Sequence, residues 1–325
     1  MRRLLVFALF LLLPATAQAN AGFDLWKEQF AAKLRSQGVS EATVTYFLDA
    51  AQYRDTPVRA QSRQPEKTIR FDTYRRNLLT PQRVAAGREA LREQGEQIAV
   101  IAGKYGIEPE VLAALWGIES SYGRIMGKQP VIASLATLAY AGKRRSFFEK
   151  ELIAALRIAV AGELPAERML GSWAGAMGHY QFIPTTCERF GIDGDGDARI
   201  DLCGSYLDAL ASAGNYLRAL GWQPGDARIH AVTAKRGMQL LQREGKKPRY
   251  RLAAYWQQAG LLAKDYPDQA APLKLVGADG GSSGIFLVGE GFDRLKEWNR
   301  STYFALTVLL LAEQLTKTPV VAPGN

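Results

Sequence analysis

The segment Pro109-Glu-Val-Leu-Ala-Ala-Leu-Trp-Gly-Ile-Glu119-Ser-Ser-Tyr-Gly123 places a carboxylate where a helix would otherwise be apolar. Proline suits a first helical position, and Leu112, Leu115 and Trp116 precede Glu119 by seven, four and three residues. Its side chain therefore falls on or beside the apolar stripe. Burial disfavours the ionised form, and the negative end of the helix near Gly123 acts in the same direction, so a raised pKa is expected. A carboxyl kept protonated near neutral pH is what a general acid needs to protonate a glycosidic oxygen. A glutamate whose head reaches solvent or pairs with Arg124 would satisfy the same spacing.

Two further segments carry chemistry. Gly171-Ser-Trp-Ala-Gly-Ala-Met-Gly-His-Tyr-Gln-Phe-Ile-Pro184 combines small residues, which allow close backbone approach, with flat faces at Trp173, Tyr180 and Phe182 and an amide at Gln181. That mixture suits a sugar-binding cleft and equally a tight helix crossing. His179 is read as a hydrogen-bonded structural residue. In Asp193-Gly-Asp-Gly-Asp-Ala-Arg-Ile-Asp201, carboxylates at relative positions 1, 3, 5 and 9 match a calcium loop of the EF-hand type. Ala198 stands at the usual glycine and Gly204 at the usual terminal glutamate, so Asp208, four residues on, is the candidate terminal ligand.

These segments need helices to hold them. Phe23, Trp26, Phe30 and Leu34 recur at helical spacing up to Gly38, and Ser40 opens a second helix. Pro57 and Pro65 bracket an expected linker, followed by one long amphipathic helix from Pro81 through Val84, Leu91, Ile98 and Ile101 toward Gly106. Ser134 is expected to open another helix, Asp208 to Leu220 a further one, and Ser301 to Leu315 the last. After Gly225, Pro248–Leu252, Pro272–Val276 and Gly284–Val288 look extended and are separated by turns such as Asp279-Gly-Gly-Ser-Ser-Gly284, giving a small, mainly extended module.

Arg2, Arg3, the apolar run Leu4–Leu13 and the Ala17-Gln-Ala19 pattern make residues 1–19 a secretory signal, cleaved after Ala19. An uncleaved anchor would begin in the same way. No Cys follows the run, so the mature chain is expected to be soluble and exported, without a stable membrane anchor. The composition of the full chain, 325 residues with 47% hydrophobic and 22% charged, excludes a disordered or fibrous protein. Removing Arg2 and Arg3 lowers the formal charge of +9 to about +7. Outside the cytoplasm nucleic acid is not the expected partner; a polyanionic wall polymer or lipid surface fits a basic protein better. Lys143-Arg144-Arg145 and Lys246-Lys247-Pro-Arg249-Tyr-Arg251 are the candidate clusters, although a solvated face would look alike. In an oxidising compartment Cys187 and Cys203 can form a disulfide worth about 3 kcal/mol; a reactive thiol is the competing reading.

Taken together, Gly117-Ile-Glu-Ser-Ser-Tyr-Gly123, the 171–184 segment, the Asp193 loop, Ala211-Ser-Ala-Gly-Asn-Tyr-Leu-Arg-Ala-Leu-Gly-Trp222 and Trp298-Asn-Arg-Ser-Thr-Tyr-Phe-Ala-Leu306 resemble the lytic murein transglycosylases of the transglycosylase B family. The resemblance implies a mainly α (α+β) fold. A lysozyme-like helical core over 99–222 would stand beside a helical domain over 20–98 plus 296–325 and a small β-containing domain over 223–295. It implies cleavage of the MurNAc–GlcNAc β-1,4 bond of peptidoglycan glycan strands in the periplasm with Glu119 as acid and then base, leaving 1,6-anhydromuramic acid ends. No cofactor is implied for catalysis. Sugar contacts carry over to Ser172, Gln181, Tyr216, Asn299 and Tyr74, and structural calcium to Asp193, Asp195, Asp197, the carbonyl of Arg199, and Asp208. Two departures stand out: Cys187 and Cys203 replace expected aromatic residues around the loop, and Trp298 replaces the Tyr that commonly precedes the Asn. A hydrolytic muramidase and a non-catalytic peptidoglycan-binding protein are the alternatives, and the sequence names no protein partner.

Overall fold

The structure, a computed structural model, describes residues 15–62, 69–161, 164, 168–245 and 248–317. The chain opens with α1 (Ala15–Ser36), α2 (Glu41–Ala50), α3 (Asp55–Ser62), α4 (Phe71–Leu78), α5 (Pro81–Glu93), α6 (Gly95–Tyr105) and α7 (Pro109–Ser120). There follow β1 (Gln129–Pro130), α8 (Val131–Ala141), α9 (Arg145–Val160), β2 (Leu170–Gly171), α10 (Pro184–Phe190) and α11 (Tyr206–Ala219). The last third contains β3 (Ile229–Ala231), α12 (Ala234–Glu244), β4 (Arg251–Leu252), α13 (Ala253–Gln258), β5 (Pro272–Gly277), β6 (Ile285–Val288), α14 (Gly291–Trp298) and α15 (Thr302–Thr316).

Local chemistry sets many of these boundaries. Ser40, Thr80, Ser205 and Ser301 each accept a backbone N–H from three residues downstream, satisfying donors that a helix start leaves open. Proline opens α5, α7 and α10, where its missing N–H costs nothing. Gly106 closes α6 in left-handed backbone. The apolar run in α15 is buried continuously from Phe304 to Ala312, and this helix packs on α7, α14, α4 and α5. A helix apolar all round belongs at the centre of a core, and this one lies directly against the helix that ends at Glu119.

Several expectations change. The pattern from Pro81 to Gly106 is two helices, because Gln94 leaves helical backbone ahead of Gly95 while the apolar period continues across the break. The expected linker after Pro57 is instead α3, with that proline in its first turn, where it is tolerated; Pro65 lies outside the described residues. The helix expected from Ser134 starts at Val131, with Ser134 buried inside it.

The module after Gly225 is a four-stranded antiparallel sheet, ordered β3-β6-β5-β4, with α12 and α13 beside it rather than mainly extended chain. It has its own apolar cluster, including Trp256, Leu273, Leu275, Ile285 and Leu287. The residues of the expected signal lie outside the described ones up to position 14, and 15–19 form the first turns of α1. Among the described residues no helix is long and apolar enough to cross a membrane.

Candidate active site

Glu119 occupies the last turn of α7, half-buried, and its Oε1 accepts a hydrogen bond from Trp298 Nε1 at 2.9 Å. Trp298 is the last residue of α14 and lies 179 positions away in sequence. Its ring is 5.1 Å from Tyr216 on α11 and 5.0 Å from Phe182, and Tyr216 stacks in turn on Phe190 at 4.5 Å. An aromatic wall therefore runs away from the carboxylate, built from α14, α11, α10 and the 171–184 segment. Burial pushes the Tyr216 hydroxyl above its usual pKa, so it stays a neutral donor.

Three consecutive left-handed residues follow the helix: Ser121, Tyr122 and Gly123, with φ of 52°, 60° and 80°. Two of them carry side chains that disfavour this backbone. Hydrogen bonds hold the turn. Ser120 Oγ donates to His179 O at 2.6 Å and accepts from Gly123 N at 2.9 Å. From the other side Arg83 Nη2 donates to Ser121 Oγ at 3.0 Å, and Tyr122 Oη donates to Arg83 O at 3.1 Å. The Tyr122 ring fills the space left by two glycines: a β-carbon on Gly117 would come within 2.5 Å of it, and one on Gly87 within 2.3 Å of its hydroxyl. Burial pushes that hydroxyl up to about 12.

Beneath the turn, His179 Nδ1 accepts from Trp116 Nε1 at 3.0 Å, so the ring is the neutral Nε2–H form, and burial lowers its pKa. A histidine whose folded pKa lies below the unfolded value of about 6.5 lets the unfolded chain bind more protons as pH falls. Its stabilising contribution is complete above that value and is lost as pH drops toward the folded pKa. The melting temperature should therefore fall below about pH 6.5, and His179→Gln, which keeps an acceptor for Trp116 without titrating, should flatten that decline. Parallel melting curves of the two proteins between neutral and acidic pH check this, and identical slopes would reject the assignment.

The remaining expected sugar contacts fall into three groups. Ser172 and Gln181 border the loop after α7. Gln181 Nε2 donates to Met126 O and Gly178 O at 3.0 Å each, leaving its carbonyl oxygen for a ligand, and a β-carbon on Gly127 would meet Gly171 O at 2.1 Å. Ser172 Oγ accepts from Ala176 N at 3.1 Å and keeps its proton to donate. Asn299 follows Trp298 directly and caps the next turn through Ser301 N at 3.1 Å. Tyr74, on α4, meets Tyr303 ring to ring at 5.6 Å. Tyr303 in turn donates to Asp279, which also accepts from Phe71 N at 2.9 Å and from Ser283 Oγ. Trp298, Tyr303 and Arg83 are the members that the sequence did not single out as site residues. Only the substitution of Trp for Tyr before Asn299 hinted at one of them.

Asp193, Asp195 and Asp197 bring carboxylate oxygens within 4.8 Å of one another. Backbone N–H groups of Gly196 and Ala198 bind Asp193, and Ala198 has a φ of 65°, so it follows the glycine's path through the loop despite its β-carbon. Asp208, the expected terminal ligand, accepts backbone N–H groups of the loop. It is 1% exposed, and its oxygens accept from Gly194 N at 2.8 Å, Asp195 N at 3.3 Å and Asp201 N at 2.8 Å. Burial pushes its carboxyl up against the opposite influence of those donors.

The cysteines are described in reduced form. Cys187 is buried on α10 and Cys203 half-buried, both as thiols, so the expected bridge is not formed here. Asp201 Oδ1 instead gathers Cys203 N at 3.0 Å and Gly204 N at 2.7 Å into a turn that closes without a staple. Burial raises the Cys203 thiol to about 12, away from nucleophilic chemistry.

Known proteins resemble this chain in sequence and fold. The family profile described as Transglycosylase SLT domain matches residues 22–313. Membrane-bound lytic murein transglycosylase B of Escherichia coli (strain K12) is 30% identical over 246 residues, 74% of this chain and 66% of that relative, just under two thirds of its length. The structure of SltB3 from Pseudomonas aeruginosa in complex with NAG-NAM-pentapeptide superposes with a TM-score of 0.83 at 34% identity, covering 91% of this chain and 80% of that one. That of Escherichia coli Slt35 in complex with calcium gives 0.73 at 26% identity, covering 89% and 92%.

Proposed function

Because the chain belongs to the family described as Transglycosylase SLT domain, we propose that it is a peptidoglycan lytic transglycosylase, cleaving the MurNAc–GlcNAc β-1,4 bond with Glu119 as the single acid and base. The carboxyl of Glu119 gives its proton to the glycosidic oxygen as the C1–O bond breaks. The resulting carboxylate takes the proton of the muramic acid C6 hydroxyl as O6 bonds to C1, closing a 1,6-anhydro ring without water. Trp298 fixes one carboxylate oxygen while the proton moves.

The observation that carries this reading is that several other acidic groups of the core are already engaged in holding the fold. Glu151 binds Thr185, Asp201 binds Arg168, Glu108 binds Trp222 and Gly225, and Asp208 holds loop backbone. A hydrolase of the two-carboxylate kind needs a second Asp or Glu roughly 5–10 Å from the first. Digestion of purified, peptide-trimmed peptidoglycan followed by mass spectrometry separates the outcomes. Anhydromuramyl products support the proposal, reducing ends make the protein a muramidase, and no product makes it a binding protein. SltB3 in complex with NAG-NAM-pentapeptide supports the substrate class.

On this reading Ser172, Gln181, Tyr216, Asn299 and Tyr74 contact sugar, and the chain divides at 98/99, 222/223 and 295/296. It acts in the periplasm after loss of residues 1–19. Asp193, Asp195, Asp197 and the Arg199 carbonyl would hold a structural Ca2+, a reading supported by three converging carboxylates and by Slt35 in complex with calcium. The ion offsets their mutual repulsion and has no part in the bond cleavage. Adding EDTA should lower the melting temperature, with excess Ca2+ restoring it; an unchanged melting curve would reject the metal. Export would also join Cys187 to Cys203, and two titratable thiols in denatured, exported protein would reject that bridge.

A further inference from the structure

The basic stretch beside the small sheet has no part in the cleft described above. Helix α12 turns Gly237, Met238 and Leu241 inward: a β-carbon on Gly237 would meet Ile285 at 3.0 Å, and Met238 and Leu241 pack over Gly281. Arg236, Gln239 and Arg243, at i, i+3 and i+7, consequently line its outer side, with the two arginine positions about 10 Å apart along the axis. They face Tyr255 and Gln258 of α13 across a groove of about 770 Å3, which Gln242 also lines.

The charge in this groove is of one sign. No carboxylate lines it, and neither Arg236 nor Arg243 enters an ion pair among the described residues. The nearby acid, Glu244, is paired with Arg251 at 2.9 Å, and its side chain is 8% exposed. The Arg251 guanidinium lies 4.7 Å above the Tyr255 ring, holding it at the groove wall with 39% of its surface open. Guanidinium groups pair with carboxylates in two-point contacts. Three glutamine amides match hydroxyl and acetamido groups, and a phenol ring offers a flat face. A carboxylate-bearing amino-sugar polymer presents all of these together. An anionic lipid layer presents charge alone on a flat front, which a concave, amide-lined groove does not fit.

We propose that the α12–α13 groove is a second peptidoglycan-binding site, which holds an uncleaved strand of the wall while another is cut in the cleft. This rests on the substrate class proposed above. The test uses the full mature chain carrying Glu119→Gln, sedimented with purified peptidoglycan sacculi at low ionic strength. Arg236→Glu together with Arg243→Glu should lower retention roughly tenfold. Added salt should weaken retention of the parent. In the otherwise unaltered chain the same pair should leave turnover of a short soluble disaccharide-peptide oligomer unchanged.

Undiminished retention of the double variant would overturn the proposal. So would loss of short-oligomer turnover at an unchanged melting temperature, or stronger retention of the parent by vesicles of anionic phospholipid than by sacculi. Should the charge reversals lower the melting temperature, Arg236→Gln with Arg243→Gln makes the same comparison, and undiminished retention there overturns the proposal equally. Retention is read without any product, so its failure leaves the anhydro-product assay standing, and the converse also holds.

Discussion

Glu119→Gln should lower kcat by about 10²- to 10⁴-fold while KM and melting temperature stay close to the parent's. The amide matches the carboxylate in size, and its carbonyl can still accept the Trp298 N–H that now reaches Oε1 at 2.9 Å. What it cannot do is deliver a proton to the glycosidic oxygen or take one from the C6 hydroxyl, and the proposed reaction needs both transfers. Steady-state rates on a soluble glycan fragment check this. A variant keeping more than about a tenth of the parent rate would remove Glu119 from the chemistry, since general acid–base catalysis alone accounts for a larger factor.

The second large effect concerns stability. Asp208→Ala should destabilise the fold by about 3 kcal/mol, because the N–H groups of Gly194, Asp195 and Asp201 lose the buried carboxylate that accepts all three. Part of the loss is recovered by water reaching Asp195 and its exposed neighbours, so the sum is less than three fully orphaned donors would give. In a chain of 325 residues the melting temperature should drop by roughly 4–5 °C. Asp208→Asn, which keeps one acceptor oxygen, should fall between the two. Calorimetry of the three proteins decides it, and a drop of under about 1 °C for the alanine variant would show that the loop is held elsewhere.

These two residues also mark how far the sequence could be read. Glu119 was legible because the information is local: a proline start, an apolar stripe and a carboxylate on it lie within fifteen residues. The caps at Ser40 and Ser301 and the strands β5 and β6 were legible for the same reason. The partner of Glu119 was not, since Trp298 arrives from a helix 179 positions away and its indole N–H carries no pattern of its own. Asp208 was visible as a carboxylate near an acidic loop, but whether it meets a cation or three backbone N–H groups depends on how the chain folds back between Gly194 and Asp201. Helix α12 escaped because Gly237, Met238, Leu240 and Leu241 are the residues that pack on the small sheet among eleven mostly polar ones. The break at Gln94 escaped because an unbroken period says nothing about a backbone kink.

The seat of the Tyr122 ring has an evolutionary consequence. Residues 87, 117 and 122 come from two helices and a turn, yet they share one volume: the ring occupies the space that β-carbons at the other two would claim. A lineage could not acquire a larger residue at either glycine while the tyrosine remained. Once the ring was lost, Gly117 would be open to alanine, and Gly87 would be too after a shift of Leu315 Cδ2, which lies 2.7 Å from the same β-carbon. Across divergent descendants a side chain at 87 or 117 should appear only where the tyrosine is gone, and a mutational library randomised at all three should return no folded member that keeps Tyr122 beside a larger residue at either glycine.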